Sequence, residues 1–392
     1  MPIAGTLPLA LALVLPVAAF AQSVTPPARP ASPPDWGVVA RAVAKQMQLT
    51  KGERVLLVGE AGQADGVVAP LRAAIAAAGA IDLGVIAVRG TPPASWATDF
   101  TRGAAGKSAE QLVRYLGDVD LGIMLPGATP TDPPYDALQR ILRAPTTRGV
   151  RTVHFHWAGA YSLAGDLMTT SSAHAALYQR VLERTDYAAL AKAQRDFESA
   201  MRASPVRVTT PAGTDITFRI GDRVVTRQDG DASAARATRG KTLIDREVEL
   251  PAGAIRVAPI EESVNGKIAF PDGVWGNTPV KGLVMVFAKG KLTGYTATSG
   301  REGVERELRT AGEAGRSFRE FALGFNPLLA IPASGERWIP YYGYGAGVAR
   351  LSLGDNSELG GRVSGGYVRW NFFTDATVRV GTTTWVEAGR MK

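Results

Sequence analysis

The sequence predicts an α/β chain in two parts: a Rossmann- or flavodoxin-like layer over 36–203, then an α+β half over 204–392. Three observations carry this. Between 54 and 157, short continuous apolar runs alternate with helical patterns, as strands buried on both faces of a parallel sheet do. After 204 the texture changes to short alternating runs divided by glycine-rich turns, which reads as antiparallel pairing. A length of 392 residues, 45% of them hydrophobic, is also more than one compact core absorbs.

In chain order, an uncharged apolar run over 7–20 ends in Ala19, Phe20 and Ala21, a small-x-small pattern that a signal peptidase accepts. Residues 1–21 are therefore expected to be a signal peptide, although no Lys or Arg precedes the run and Arg29 is the first charge. The run is too short to anchor the chain across a bilayer, so no membrane span is expected after cleavage. Residues 22–35, rich in Pro and Ala, read as a tether. There is no Cys, hence no lipid-anchor cysteine and no disulfide framework. The expected address is the periplasm or the outside. The formal net charge is +8, but Lys and Arg are scattered without interleaved aromatics, so the chain is not expected to bind nucleic acid.

In the first half, strands are expected at 54–59, 83–88, 121–125 and 151–157, with helices at 66–78, 108–117 and 135–143. From 171 to 203 the pattern is helical and reads as the connector to the second half. Gly59, Gly62 and Gly66 follow the first strand, but their spacing is neither G-x-G-x-x-G nor a P-loop, so a structural turn is expected there. His154 and His156, at i and i+2 on the fourth strand, point to one face. Paired histidines can ligate metal, but no third ligand is evident in the sequence, and His174 on the next helix has no supporting carboxylate motif. Nothing after His174 is His or Cys, which argues against a conventional transition-metal centre in the second half.

In the second half, strands are expected at 206–210, 215–220, 255–258, 283–288, 291–296, 347–353, 367–373, 377–380 and 384–387, with a helix at 302–310. Four segments stand out in order: 208–218 (VTTPAGTDITF), 250–266 (LPAGAIRVAPIEESVNG), 319–327 (REFALGFNP) and 347–361 (GVARLSLGDNSELGG). With 49–55 (LTKGERV), their order and spacing resemble peptidase family M29, the thermophilic metalloaminopeptidases, and their relatives among the dihydroxypyridine dioxygenases. The resemblance runs from about residue 35 to the C-terminus. It implies a C-terminal domain of M29 type, a homodimer, and two divalent metals on Glu, His and Asp that activate water for peptide hydrolysis.

Carried over position by position, most of that ligand set is replaced. The first carboxylate falls on Ala254, one imidazole on Arg350, the tyrosine on Ser357, and the closing His-x-Asp on Arg369 and Asn371. Glu320 alone is retained. Arginine has no lone pair for a metal and stays charged, so neither the two-metal site nor the dioxygenase's iron is expected, and no cofactor is implied. Two uses of the site remain open. Arg350 and Arg369 pair with Glu320 and fill the space, or with Asn371 and Ser357 they clamp the carboxylate or phosphate of a small anionic molecule or peptide. The alternative is an active hydrolase on a non-standard divalent site, built from Glu261, Glu262, Asp272 and Glu320 or from His154 and His156. There is no G-x-S-x-G elbow, and a serine hydrolase would lack a His base in the second half.

Overall fold

The computed structural model describes residues 33–144, 148–331 and 337–392; the expected signal peptide and most of the tether lie outside them. The first strand, Arg54–Glu60, shows how the first sheet is held. Its side chains alternate, so Val55 and Leu57 enter one core with Val67, Leu71 and Ile75. Leu56 and Val58 enter a second core with Leu112, Leu116 and Leu138. Each such buried side chain contributes about 1.5–3 kcal/mol, and a strand used on both faces must be apolar throughout.

Five parallel strands lie side by side in the order Ile81–Arg89, Arg54–Glu60, Leu121–Met124, Arg151–Phe155, Glu247–Leu250. Numbered along the chain this is 2-1-3-4-5, the flavodoxin-like order. The fifth strand comes from beyond residue 204, so the sheet is completed by the second half of the sequence. The helices start where short polar caps allow. Ser108 and Gln111 form a reciprocal capping box before Ala109–Tyr115, and Ser171 and His174 form another before Ser172–Arg184. The expected helical connector consists of two helices. Ser172–Arg184 stops at Thr185, and Asp186 caps Tyr187–Ala203 by accepting from Ala189 N.

The rest is antiparallel. One sheet runs Val368–Arg369, Ala349–Gly354, Phe318–Gly324, Ala254–Val257, Val225–Arg227, with Phe372–Phe373 also on Ala349–Gly354. A larger one runs Lys291–Thr296, Val284–Ala288, Asn265–Ala269, Asp215–Phe218, Val206–Thr209, Thr377–Val380, Thr383–Glu387, Arg390–Met391. The helix expected at 302–310 extends over Arg301–Gly315. The strand expected over 367–373 is two short pieces, Val368–Arg369 and Phe372–Phe373, on different parts of Ala349–Gly354. Among the described residues no helix is long and apolar enough to cross a membrane.

Candidate functional site

Phe318–Gly324 is buried along its whole length between Ala254–Val257 and Ala349–Gly354. Glu320, at its centre, is 0% exposed. An unpaired carboxylate there would be several kcal/mol out of balance, so the surrounding charges decide whether it can stay ionised. Arg256 supplies Nε and Nη2, each 3.1 Å from Glu320 Oε2. Arg350 Nη2 lies 3.0 Å from Oε1, and Ser352 Oγ donates to the same oxygen at 3.3 Å. Arg319 Nε is 3.9 Å away and its Nη2 is held by Glu358, which also accepts from Arg256. Burial alone would push the Glu320 carboxyl up, but the guanidinium groups of Arg256, Arg350 and Arg319 outweigh it and hold the pKa down to about 2. Glu320 is therefore an acceptor with its lone pairs engaged, poor both as a base and as a metal ligand.

The other positions carried over from sequence do not all converge on it. Arg350, 2% exposed, also donates Nη1 to Tyr342 O at 3.2 Å and lies 5.2 Å from the Trp370 ring centroid. Arg369 points elsewhere. Its strand pairs with Leu353 and Gly354, and its guanidinium lies 3.5 Å over the Trp275 ring, 2.8 Å from Glu307 Oε1. Arg369 Nε donates to Asn371 Oδ1 at 3.3 Å, and Asn371 Nδ2 donates to Leu351 O at 3.2 Å. Ser357 is exposed and bonded to Asp355, through N at 2.9 Å and Oγ at 2.6 Å. Ala254, where the family would place a carboxylate, packs in an apolar cluster with Tyr341 and Tyr344.

The four-carboxylate set is not assembled either. Glu261 is bound by Arg223, by Asn356 Nδ2 at 3.2 Å and by Arg362 N at 2.8 Å, while Glu262 pairs with Arg362. Asp272 accepts from Gly282 N at 3.1 Å. Beside Arg369 and Asn371 lies a cleft of about 300 Å³, lined also by Tyr161, Asp166, Val274 and Trp370. Trp370, Val274 and Val368 expose much of their apolar surface at it.

The two histidines of the parallel sheet separate in role. The His156 ring packs tilted against Tyr341 with centroids 4.5 Å apart, and burial together with His154 pushes its pKa well below the ordinary value, so it is neutral. His154 Nε2 lies 3.0 Å from Glu247 Oε2. Burial opposes its protonation, but the charges on Glu247, Glu249 and Glu358 raise its pKa. Glu249 in turn accepts from Tyr344 OH and lies 3.8 Å from Arg256 Nη1. The two sheets are thus joined by one array, from His154 through Glu249 and Arg256 to Glu320.

No family model and no curated protein matches the chain. Solved structures do. The 2,5-dihydroxypyridine dioxygenase of Pseudomonas putida KT2440 matches with a TM-score of 0.61 at 14% identity, over 92% of this chain and 98% of its own. Wild-type AmpT from Thermus thermophilus, an M29 aminopeptidase, matches with a TM-score of 0.57 at 17% identity, over 90% and 98%. The fold is M29-like. Identities this low speak to fold alone, and within it the M29-like scaffold here carries an arginine-bound glutamate at its centre.

Sequence reasoning passed over Arg256, Arg319, Glu247 and Glu249. Arg256 had a usable signal, being two residues from Ala254 on a short strand and so on the same face. Glu247 and Glu249 also alternate, within Glu247–Leu250, but that segment was not expected to be a strand.

Proposed function

We propose that this is an exported protein of M29 aminopeptidase descent that no longer hydrolyses peptides through two metals and instead binds a small anionic molecule or a peptide. One observation supports this above the rest: Arg256 and Arg350 stand 3.0–3.1 Å from Glu320, the position where the family resemblance would place a metal ligand. A cation brought there would meet three guanidinium groups before it met a free lone pair. The binding surface is the cleft beside Arg369 and Asn371, where a guanidinium and an amide stand next to the exposed Trp370 ring. That combination suits a ligand with an acidic group and an apolar or aromatic body. Localisation in the periplasm and a homodimer belong to the same reading.

The test pairs activity with binding. Aminoacyl-anilide substrates are offered with and without Zn²⁺, Co²⁺ and Mn²⁺, and short acidic peptides and carboxylic acids are screened by calorimetry. No turnover in any metal, with binding that Arg369→Ala weakens, is the expected result. Metal-dependent turnover would favour the second reading, an active hydrolase. That reading is kept because His154 lies against Glu247 and Glu249.

A further inference from the structure

Strands Arg151–Phe155 and Glu247–Leu250 are in parallel register, with Thr152 beside Glu247 and His154 beside Glu249. Because side chains alternate, these four share one face of the sheet. The helix Pro133–Arg143 covers that face, with the Tyr135 ring 5.1 Å from the His154 ring and Gln139 Nε2 donating to Glu247 Oε2 at 2.6 Å. All six are buried, Tyr135 at 0%, Thr152 at 1% and His154 at 4% exposure. His154, Glu247 and Glu249 each offer a ligand atom, and the three atoms lie within 4.8 Å of one another.

Tyr135 OH, Thr152 Oγ1 and His154 Nε2 make no well-aligned hydrogen bond on this face, although the two hydroxyls neighbour each other and the imidazole neighbours Glu247. The imidazole nitrogen is close to Glu247, at 3.0 Å, without being aligned on it. Buried hydroxyls without a well-aligned partner are uncommon and ask for a missing one. The charges ask for the same. Arg256, Arg319 and Arg350 face Glu247, Glu249, Glu320 and Glu358, which leaves excess negative charge at the end of the array remote from Arg350. A proton on His154 or a bound cation would offset it.

We infer that this face binds one divalent transition-metal ion through His154 Nε2 and a carboxylate oxygen each from Glu247 and Glu249. Metal–ligand bonds of about 2.0–2.2 Å set adjacent ligand atoms about 3–3.5 Å apart; the His154–Glu247 pair, at 3.0 Å, is already at that spacing, and the rest of the set, within 4.8 Å, has to draw in on binding. One imidazole with two carboxylates is a mixed N/O set that suits Zn²⁺ or Mn²⁺ better than Ca²⁺. Gln139 on Glu247 and Tyr344 on Glu249 are the outer hydrogen bonds that orient ligating carboxylates. A metal-bound water would supply the well-aligned partner that the Tyr135 and Thr152 hydroxyls lack. Its ligands are buried, and no hydrolytic step is assigned to it.

The experiment uses the untagged full-length protein, stripped with chelator and titrated with Zn²⁺ and Mn²⁺ by calorimetry and thermal denaturation. One saturable equivalent and a rise in Tm are expected, with affinity lowered at least about 100-fold in His154→Gln and in Glu249→Gln. Should those variants fail to fold, the wild-type protein decides: its Co²⁺ form should show a single exchangeable, paramagnetically shifted imidazole N–H resonance. No saturable binding, binding that folded variants keep, or no shifted imidazole resonance would overturn the inference and leave a protonated imidazole paired with two carboxylates.

Discussion

Two groups of buried carboxylates share one array and are neutralised by opposite means. Glu320 is surrounded by cations built into the chain, with Arg256 and Arg350 at 3.0–3.1 Å. Glu247 and Glu249 have an imidazole at 3.0 Å, an amide, a phenol and the far edge of Arg256 at 3.8 Å. A guanidinium cannot lose its proton, so the first group keeps one charge state above about pH 2 and acts as a fixed piece of the fold. The second depends on whatever occupies it, whether proton or metal. The difference comes from what alternates along the strands: Arg256 and Arg350 face Glu320, whereas Glu247 and Glu249 face His154 and Thr152.

The contrast breaks first at Glu320. Replacing Glu320 by Gln leaves Arg350 buried without an anion, and Arg256 with only Glu249 and Glu358, and should cost about 3–5 kcal/mol in urea unfolding. Removing charge from both sides, with Glu320→Met and Arg350→Met together, should recover at least about 1 kcal/mol of that. A Glu320→Gln loss below about 1 kcal/mol would mean the guanidinium groups are hydrated and the contrast is false.

Acid tests the same pair. The folded pKa of Glu320 is depressed from 4.5 to about 2, so its contribution is fully present above 4.5 and is lost as pH falls through about 2. A shift of that size corresponds to about 3 kcal/mol, and the stability difference between wild type and Glu320→Gln should shrink by about that amount over the window.

Smaller effects are expected from the second group. In metal-free protein Glu249→Gln relieves crowding between carboxylates while weakening the contacts of Tyr344 and Arg256, so the net loss should stay near about 1 kcal/mol. A loss as large as that of Glu320→Gln would show that both groups are fixed parts of the fold. Smallest of all, Arg369→Ala should cost about 1 kcal/mol or less through its contacts with Glu307 and Trp275, while lowering ligand affinity in the cleft about tenfold.

The parallel layer was legible because apolar runs such as Arg54–Glu60 and Leu121–Met124 admit few other readings. The strand Glu247–Leu250 was not, since Glu-Val-Glu-Leu has the look of a half-solvated strand rather than a buried parallel one. Sequence put Arg350 beside Glu320 in one of its two open readings, because the resemblance maps both onto one ligand set and their charges are opposite; in the structure they lie 3.0 Å apart. Arg369 shared that expectation and went to Glu307, because Val368–Arg369 pairs at the Leu353–Gly354 end of its neighbour and the Trp275 ring takes the guanidinium. Position-by-position mapping asks what replaced each ligand. It does not ask what else shares the face, which is why Arg256 escaped it.

The late-arriving fifth strand has a consequence for biosynthesis. As the chain emerges N-terminus first, Arg151–Phe155 presents a bare backbone edge until residue 250 has followed it. At synthesis rates of about 5–20 residues per second that interval lasts about five to twenty seconds. Such an edge is a docking place for another extended segment over that interval. Ending the chain at residue 203 makes the bare edge permanent.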